Sequence, residues 1–325
     1  RYWFESWKRQ GYNPYDSSYR GKEIYDPASD AWYWLDNIQN GAMAASKDVY
    51  QESNGGKWVR YDENGHMVKG WDVNENGTYY FDQITGAMAK GALLLDDVQY
   101  GFDPIMGTML DCQWLHTEVG DYWYEGGIRQ GTEGRGKEIY DLASDAWYWL
   151  DAVDNGKKAV SKDVYQESDG GKWVRYDENG HMIKGENCQN GNWYYFEPVT
   201  GAMIHGPWTL PDGRKVYYDL TTGIMQYGNV SINGSLYYFD PVYGTMKSGA
   251  LTNFWVTDGN GKSFWYESWV RQGWQPGSSN YRGKEIYDPA SGAWYWLDNV
   301  QQGAKATSKE VYQDSNGGKW VRYDA

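Results

Sequence analysis

Tyr79-Tyr80-Phe81-Asp82-Gln83-Ile84-Thr85-Gly86-Ala87-Met88 is the stretch from which the fold is read, because the chain repeats it. It returns as Trp193-Tyr194-Tyr195-Phe196-Glu197 closing on Gly201-Ala202-Met203, and as Leu236-Tyr237-Tyr238-Phe239-Asp240 closing on Gly244-Thr245-Met246. The methionines mark the period: 67, 88 and 109, then 182, 203, 225 and 246, spaced 21 or 22 residues apart. A fixed period of this length belongs to repeat architectures, in which one unit is too small to bury its own apolar face. Aromatics that alternate over four or five residues form strands with two distinct faces. The turns between them, such as Glu63-Asn64-Gly65 and Ile232-Asn233-Gly234, tolerate the positive φ of tight hairpins. The expected fold is therefore all-β: an elongated solenoid, a linear stack of roughly fourteen β-hairpins of about 21 residues.

A longer period lies above the short one. Gly21-Lys22-Glu23-Ile24-Tyr25-Asp26 recurs from Gly136 and from Gly283, each time followed by Ala-Trp-Tyr-Trp-Leu-Asp and then Gly-Lys-Trp-Val-Arg-Tyr-Asp. This divides the chain into a first block (1–113), a second with one extra hairpin (114–256) and a truncated third (257–325). The chain has no starting methionine and stops at Tyr323-Asp324-Ala325, before the Gly-x-Met its unit should have. It reads as a piece of a larger protein. Trp34 to Val49 is the one segment that could be drawn as a helix, but Gly41 interrupts it and it fits the hairpin frame.

Composition agrees with thin stacked layers. Of 325 residues, 31 are Tyr, 20 Trp and 41 Gly, while aliphatic residues are sparse. A net charge of −14 and the lack of a Lys/Arg cluster argue against nucleic acid and anionic membrane as partners. No apolar run is long enough to span a bilayer. Cys112 and Cys188 occupy unmatched places in the repeat, which is neither a disulfide framework nor a zinc site.

The Trp-Tyr-Tyr-Phe…Gly-Ala-Met pattern of residues 193–203 resembles the cell-wall-binding repeats of choline-binding proteins. It equally resembles the glucan-binding repeats of glucansucrases and the repetitive oligopeptides of clostridial toxins. The resemblance covers nearly all of the chain. It implies a left-handed superhelical β-solenoid with ligands in aromatic cages between consecutive hairpins, on an extracellular protein that is secreted or held at a bacterial surface.

A cage for a quaternary ammonium needs ring faces converging on one point. No unit carries the full set of tryptophans that the family pattern supplies; the best composite is Trp58 with Trp71 and Tyr79. Sugar stacking is the second option, for which Trp32/Trp34, Trp147/Trp149 and Trp294/Trp296 recur once per block, each beside an aspartate (Asp36, Asp151, Asp298). Packing in the core is the competing reading for all of these rings. Asp72 to Gly77 imitates the start of an EF-hand, but Gln83 stands at the twelfth position. Asp26, Asp30 and Asp36 are alternative ligands, although Gly292 replaces the Asp30 equivalent in the third block. We expect no metal, cofactor or catalytic constellation, since the carboxylates recur with the turns and the four histidines lack partners. Three readings follow: a binding module for cell-wall polymer or glycan, an adhesin that binds a host protein such as an immunoglobulin or a mucin-type glycoprotein, or a plain spacer that needs no site.

Overall fold

The computed structural model describes residues 1–52, 55–167, 170–248, 253–314 and 318–324. Among these, fourteen antiparallel hairpins follow one another, and the helical elements are short 3-10 turns such as Asn37–Gln39. None of them is long and apolar enough to cross a membrane. The all-β hairpin repeat is thus present as expected. No helix forms between Trp34 and Val49: strand Ala31–Asp36 is followed by the 3-10 turn and by strand Ala42–Met43. Asp36 caps that turn by accepting from the Ile38 N–H at 2.9 Å, and Asn40 ends it with a φ of 56°.

The repeated motif is a stitch between hairpins. The methionine N–H of one unit donates to a strand carbonyl of the preceding hairpin: Met88 to Trp58 at 2.8 Å, Met203 to Trp173 at 2.7 Å, Met225 to Trp193 at 2.8 Å. The motif's glycine lies against the methionine sulfur of the unit before it. A Cβ on Gly86 would stand 2.4 Å from Met67 Sδ, and one on Gly201 2.3 Å from Met182 Sδ. At φ +65° and +67° these positions also suit glycine alone. The carboxylate that opens the motif folds the turn: Asp82 accepts from the Thr85 N–H at 2.7 Å and the Ile84 N–H at 3.1 Å.

The described residues form two compact units, Arg1–Glu138 with Leu150–Lys158, and Ile139–Trp149 with Ala159–Ala325. The first is a run of thin cores, such as Trp34, Ala44, Val49, Val59 and Tyr61. The second departs from linear stacking. There the Phe254–Thr257/Ser263–Glu267 hairpin and the turn after it fold back over earlier hairpins, and Trp269 is the centre of the shared core, packed with Tyr217, Tyr237, Phe239 and Tyr266. Its indole N–H donates to the Val216 carbonyl at 3.1 Å, and Arg271 Nη2 donates to the His205 carbonyl at 3.2 Å. These partners are 53 and 66 residues apart, well beyond one repeat.

Candidate functional site

Strand register brings a tyrosine opposite a tryptophan near the tips of the long hairpins. Tyr25 pairs with Trp32, Tyr50 with Trp58, Tyr165 with Trp173, Tyr287 with Trp294 and Tyr312 with Trp320. With Tyr140/Trp147 these make six pairs among the described residues, with centroids 5.2–5.5 Å apart and planes tilted 45–60°. All six tryptophans are exposed. Phenol groups beside them are held by carboxylates: the Tyr25 hydroxyl donates to Asp30 and that of Tyr140 to Asp145. That hydrogen bond to a carboxylate holds the Tyr25 hydroxyl above its ordinary pKa.

The predicted tryptophan doublets are split by this arrangement. Trp32, Trp147 and Trp294 are the exposed members, whereas Trp34, Trp149 and Trp296 are only 6–7 % exposed. Trp34 packs on Val49, Val59 and Tyr61, and Trp149 on Val164, Val174 and Tyr176. The tyrosine partners were not singled out from sequence. The signal was present, since Tyr25 and Trp32 lie at equal distances from one turn, but it required the register.

Trp58, Trp71 and Tyr79 each have ring or cation neighbours of their own. Trp58 faces Tyr50, with Lys90 Nζ 5.6 Å from its centroid. Trp71 is exposed and packs edge-on against Tyr80 and Tyr100, both at 5.1 Å. Tyr79 is buried, and its face is covered by the Arg60 guanidinium at 4.1 Å. Arg60 also binds Asp48 at 2.7 Å and Asp72 at 2.8 Å, and the Asp48 bond in particular raises its already high pKa. The same device recurs as Arg129 over Tyr122, Arg175 over Tyr194 and Arg271 over Phe264, at 4.1–4.3 Å. Cation–π sites are thus built repeatedly, and the chain's own arginines fill them.

The carboxylates considered for calcium have internal partners. Asp72 holds Arg60, Asp36 accepts from Lys47 Nζ, Asp26 accepts from the Ser29 hydroxyl at 3.0 Å, and Asp30 accepts from Tyr25. Cys112 and Cys188 are both exposed free thiols.

Repeated antiparallel hairpins bearing exposed ring pairs define a hairpin-repeat protein. The family profile of the choline-binding repeat matches residues 52–110 and 166–208. These two stretches are similar to the choline-binding repeat, and the matches support a repeat of the choline-binding and glucan-binding kind. Glucosyltransferase-S of Streptococcus mutans is 24 % identical over 196 residues, which is 56 % of this chain and 13 % of that protein. Glucosyltransferase-S of Streptococcus downei is 25 % identical over 191 residues, 49 % of this chain and 14 % of that protein. The chain therefore spans only a small part of the length of the curated relatives it matches. Among solved structures, the autolysin LytC of Streptococcus pneumoniae aligns with 70 % of this chain and 48 % of its own at 23 % identity and a TM-score of 0.43. Choline binding protein F of the same organism aligns with 93 % of this chain and 99 % of its own at 21 % identity and a TM-score of 0.35.

Proposed function

We propose that this chain is a non-catalytic extracellular module that attaches a secreted or surface protein to a glycan of the bacterial cell wall or to a glucan. The observation that carries the reading is the set of six exposed Tyr–Trp pairs at equivalent hairpin positions. A pyranose ring offers an apolar C–H face that lies on an indole, and hydroxyls that neighbouring polar groups bind. Each such contact is weak, and repetition along a polymer converts weak contacts into retention. Four further aromatic faces are closed to an external cation by the chain's own arginines. Trp32, Trp58, Trp147, Trp173 and Trp294 are the proposed stacking residues; Trp34, Trp149 and Trp296 support them from the core.

The test is graded removal of the rings. Trp32→Ala, Trp58→Ala, Trp147→Ala and Trp294→Ala are combined one by one in the full chain. Retention on purified cell walls and on insoluble glucan should fall with each step, and free monosaccharide should compete poorly. A host-protein adhesin gives another pattern: one substitution removes most of the affinity, towards serum or mucus proteins and not towards polysaccharide. That outcome would replace the glycan reading.

A further inference from the structure

We infer that the cavity formed where the third block folds over the second is a distinct sugar pocket, which takes one neutral pyranose residue on Trp173 with His205, Asp258 and Asn260 around its edge. The inference deepens the glycan reading and rests on it. The cavity holds about 320 Å³ and lies wholly within the second unit. That is within the range of small-molecule sites, roughly 300–1,000 Å³. It is lined by Tyr165 and Trp173, by the Asp258–Asn260 turn, and by Leu220 and Val256. To the Tyr165–Trp173 pair it adds a wall from hairpins that are not its neighbours. Lys262 Nζ donates to the Gly170 carbonyl and Gln302 Nε2 to the Gly171 carbonyl at 3.2 Å, across 92 and 131 residues of sequence.

Comparison with the first block shows why the cavity is open. There the residue after Gly86-Ala87-Met88-Ala89 is Lys90, whose ammonium lies on the Trp58 ring and donates to the Ile105 carbonyl at 2.6 Å. In the second block the residue after Gly201-Ala202-Met203-Ile204 is His205. Its Nδ1–H donates to the Asp219 carbonyl at 3.2 Å, and among the described residues no cation lies over Trp173. The shorter side chain leaves the indole facing empty space. Burial lowers the His205 pKa, so the ring is neutral and Nε2 remains an acceptor for a hydroxyl. Asp258 accepts from the N–H groups of Asn260 and Lys262, both at 2.9 Å through Oδ1, which fixes its carboxylate at the rim. A cation is a poor occupant. Lys172 and Arg271 line the space against the single carboxylate of Asp258, and Arg271 already covers Phe264.

The experiment titrates the full chain with isomaltotriose and, separately, with chitotriose, following tryptophan fluorescence and heat. These two arms distinguish a glucan from an amino-sugar glycan as the source of the pyranose. Choline is a third titrant. Trp173→Ala removes the platform, and His205→Lys rebuilds the plug seen on Trp58. One oligosaccharide should bind the parent chain, and each variant should weaken it at least tenfold while keeping the parent's far-UV spectrum. Retention on the insoluble polymer should fall only in part, because the exposed pairs remain. Variants that bind the oligosaccharide like the parent would sink the pocket and leave the glycan reading standing, as would a parent chain that binds polymer but no oligosaccharide. A Trp173-dependent response to choline alone would make it a cation site instead. A parent chain that binds neither polymer nor oligosaccharide would overturn both.

Discussion

Trp7 and Trp269 stand in the same local sequence, Glu-Ser-Trp followed by x-Arg-Gln-Gly, and in the same turn, with φ of 67° and 76°. Yet Trp7 is 99 % exposed and Trp269 is 0 % exposed. Trp269 packs on residues that precede it, from Val216 to Tyr266, whereas only six residues of this sequence precede Trp7. Trp269 meets Tyr237 at 5.1 Å and Phe254 at 5.7 Å and donates to Val216, because the chain folds back beneath it. Trp269→Ala should therefore cost about 3–5 kcal/mol, as for a large aromatic removed from a core. Trp7→Ala should stay within about 0.5 kcal/mol, as for a surface site. Urea unfolding of the two variants beside the parent chain measures both; equal midpoints for the pair would refute the assignment of Trp269 to the core. At this scale the sequence was least informative. Identical motifs gave identical expectations, and only long-range packing tells them apart. The same holds for Tyr79, whose ring reads as a cage wall until Arg60 is found on its face.

Within one hairpin the sequence was far more legible, because the stitch is local. The period of the methionines is the distance from one Met–Gly contact to the next, and both partners are visible in the chain. Gly86→Ala should destabilise by about 1–3 kcal/mol from its left-handed φ alone. It should cost more because the new Cβ meets Met67 Sδ. The check is the melting temperature of Gly86→Ala against Gly55→Ala, a positive-φ glycine with nothing within 4 Å, which should lose only the backbone part. The turn aspartates add an acid sensitivity. Backbone N–H groups of Thr85 and Tyr243 hold the Asp82 and Asp240 carboxyls below their ordinary pKa. A depressed folded-state pKa contributes stability that is full above the ordinary carboxylate value of about 4 and is lost as pH falls through the depressed one. Urea midpoints measured from pH 7 down to pH 2.5 should fall across that window, and Asp82→Asn should flatten the fall. What the hairpin scale hid was the tyrosine of each Tyr–Trp pair. Alternation alone assigned Trp32 and Trp34 to one face, but it could not say that the next hairpin covers only Trp34.

At the scale of the molecule, the fold-back in the second unit was not legible, since every contact that makes it joins non-adjacent repeats. Charge, by contrast, is fully legible, and it yields a prediction that separates two kinds of wall polymer. The chain carries a net charge of −14. Several of its arginines are also withdrawn onto tyrosine and phenylalanine faces, where they offer little to an external anion. A neutral glucan feels none of this field, so binding by ring stacking should be nearly independent of ionic strength. An anionic wall polymer is repelled by it, and salt screens that repulsion, with a Debye length that shrinks from about 10 Å at 0.1 M to about 3 Å at 1 M. Retention of the full chain on neutral glucan should then be flat between these two salt concentrations, whereas retention on anionic cell walls should rise with salt. A steep loss on both supports would mean that charge attraction, and not the aromatic pairs, holds the ligand. In that case alanine at Trp32, Trp58, Trp147 and Trp294 should leave retention unchanged at low salt, and the stacking assignment would be withdrawn.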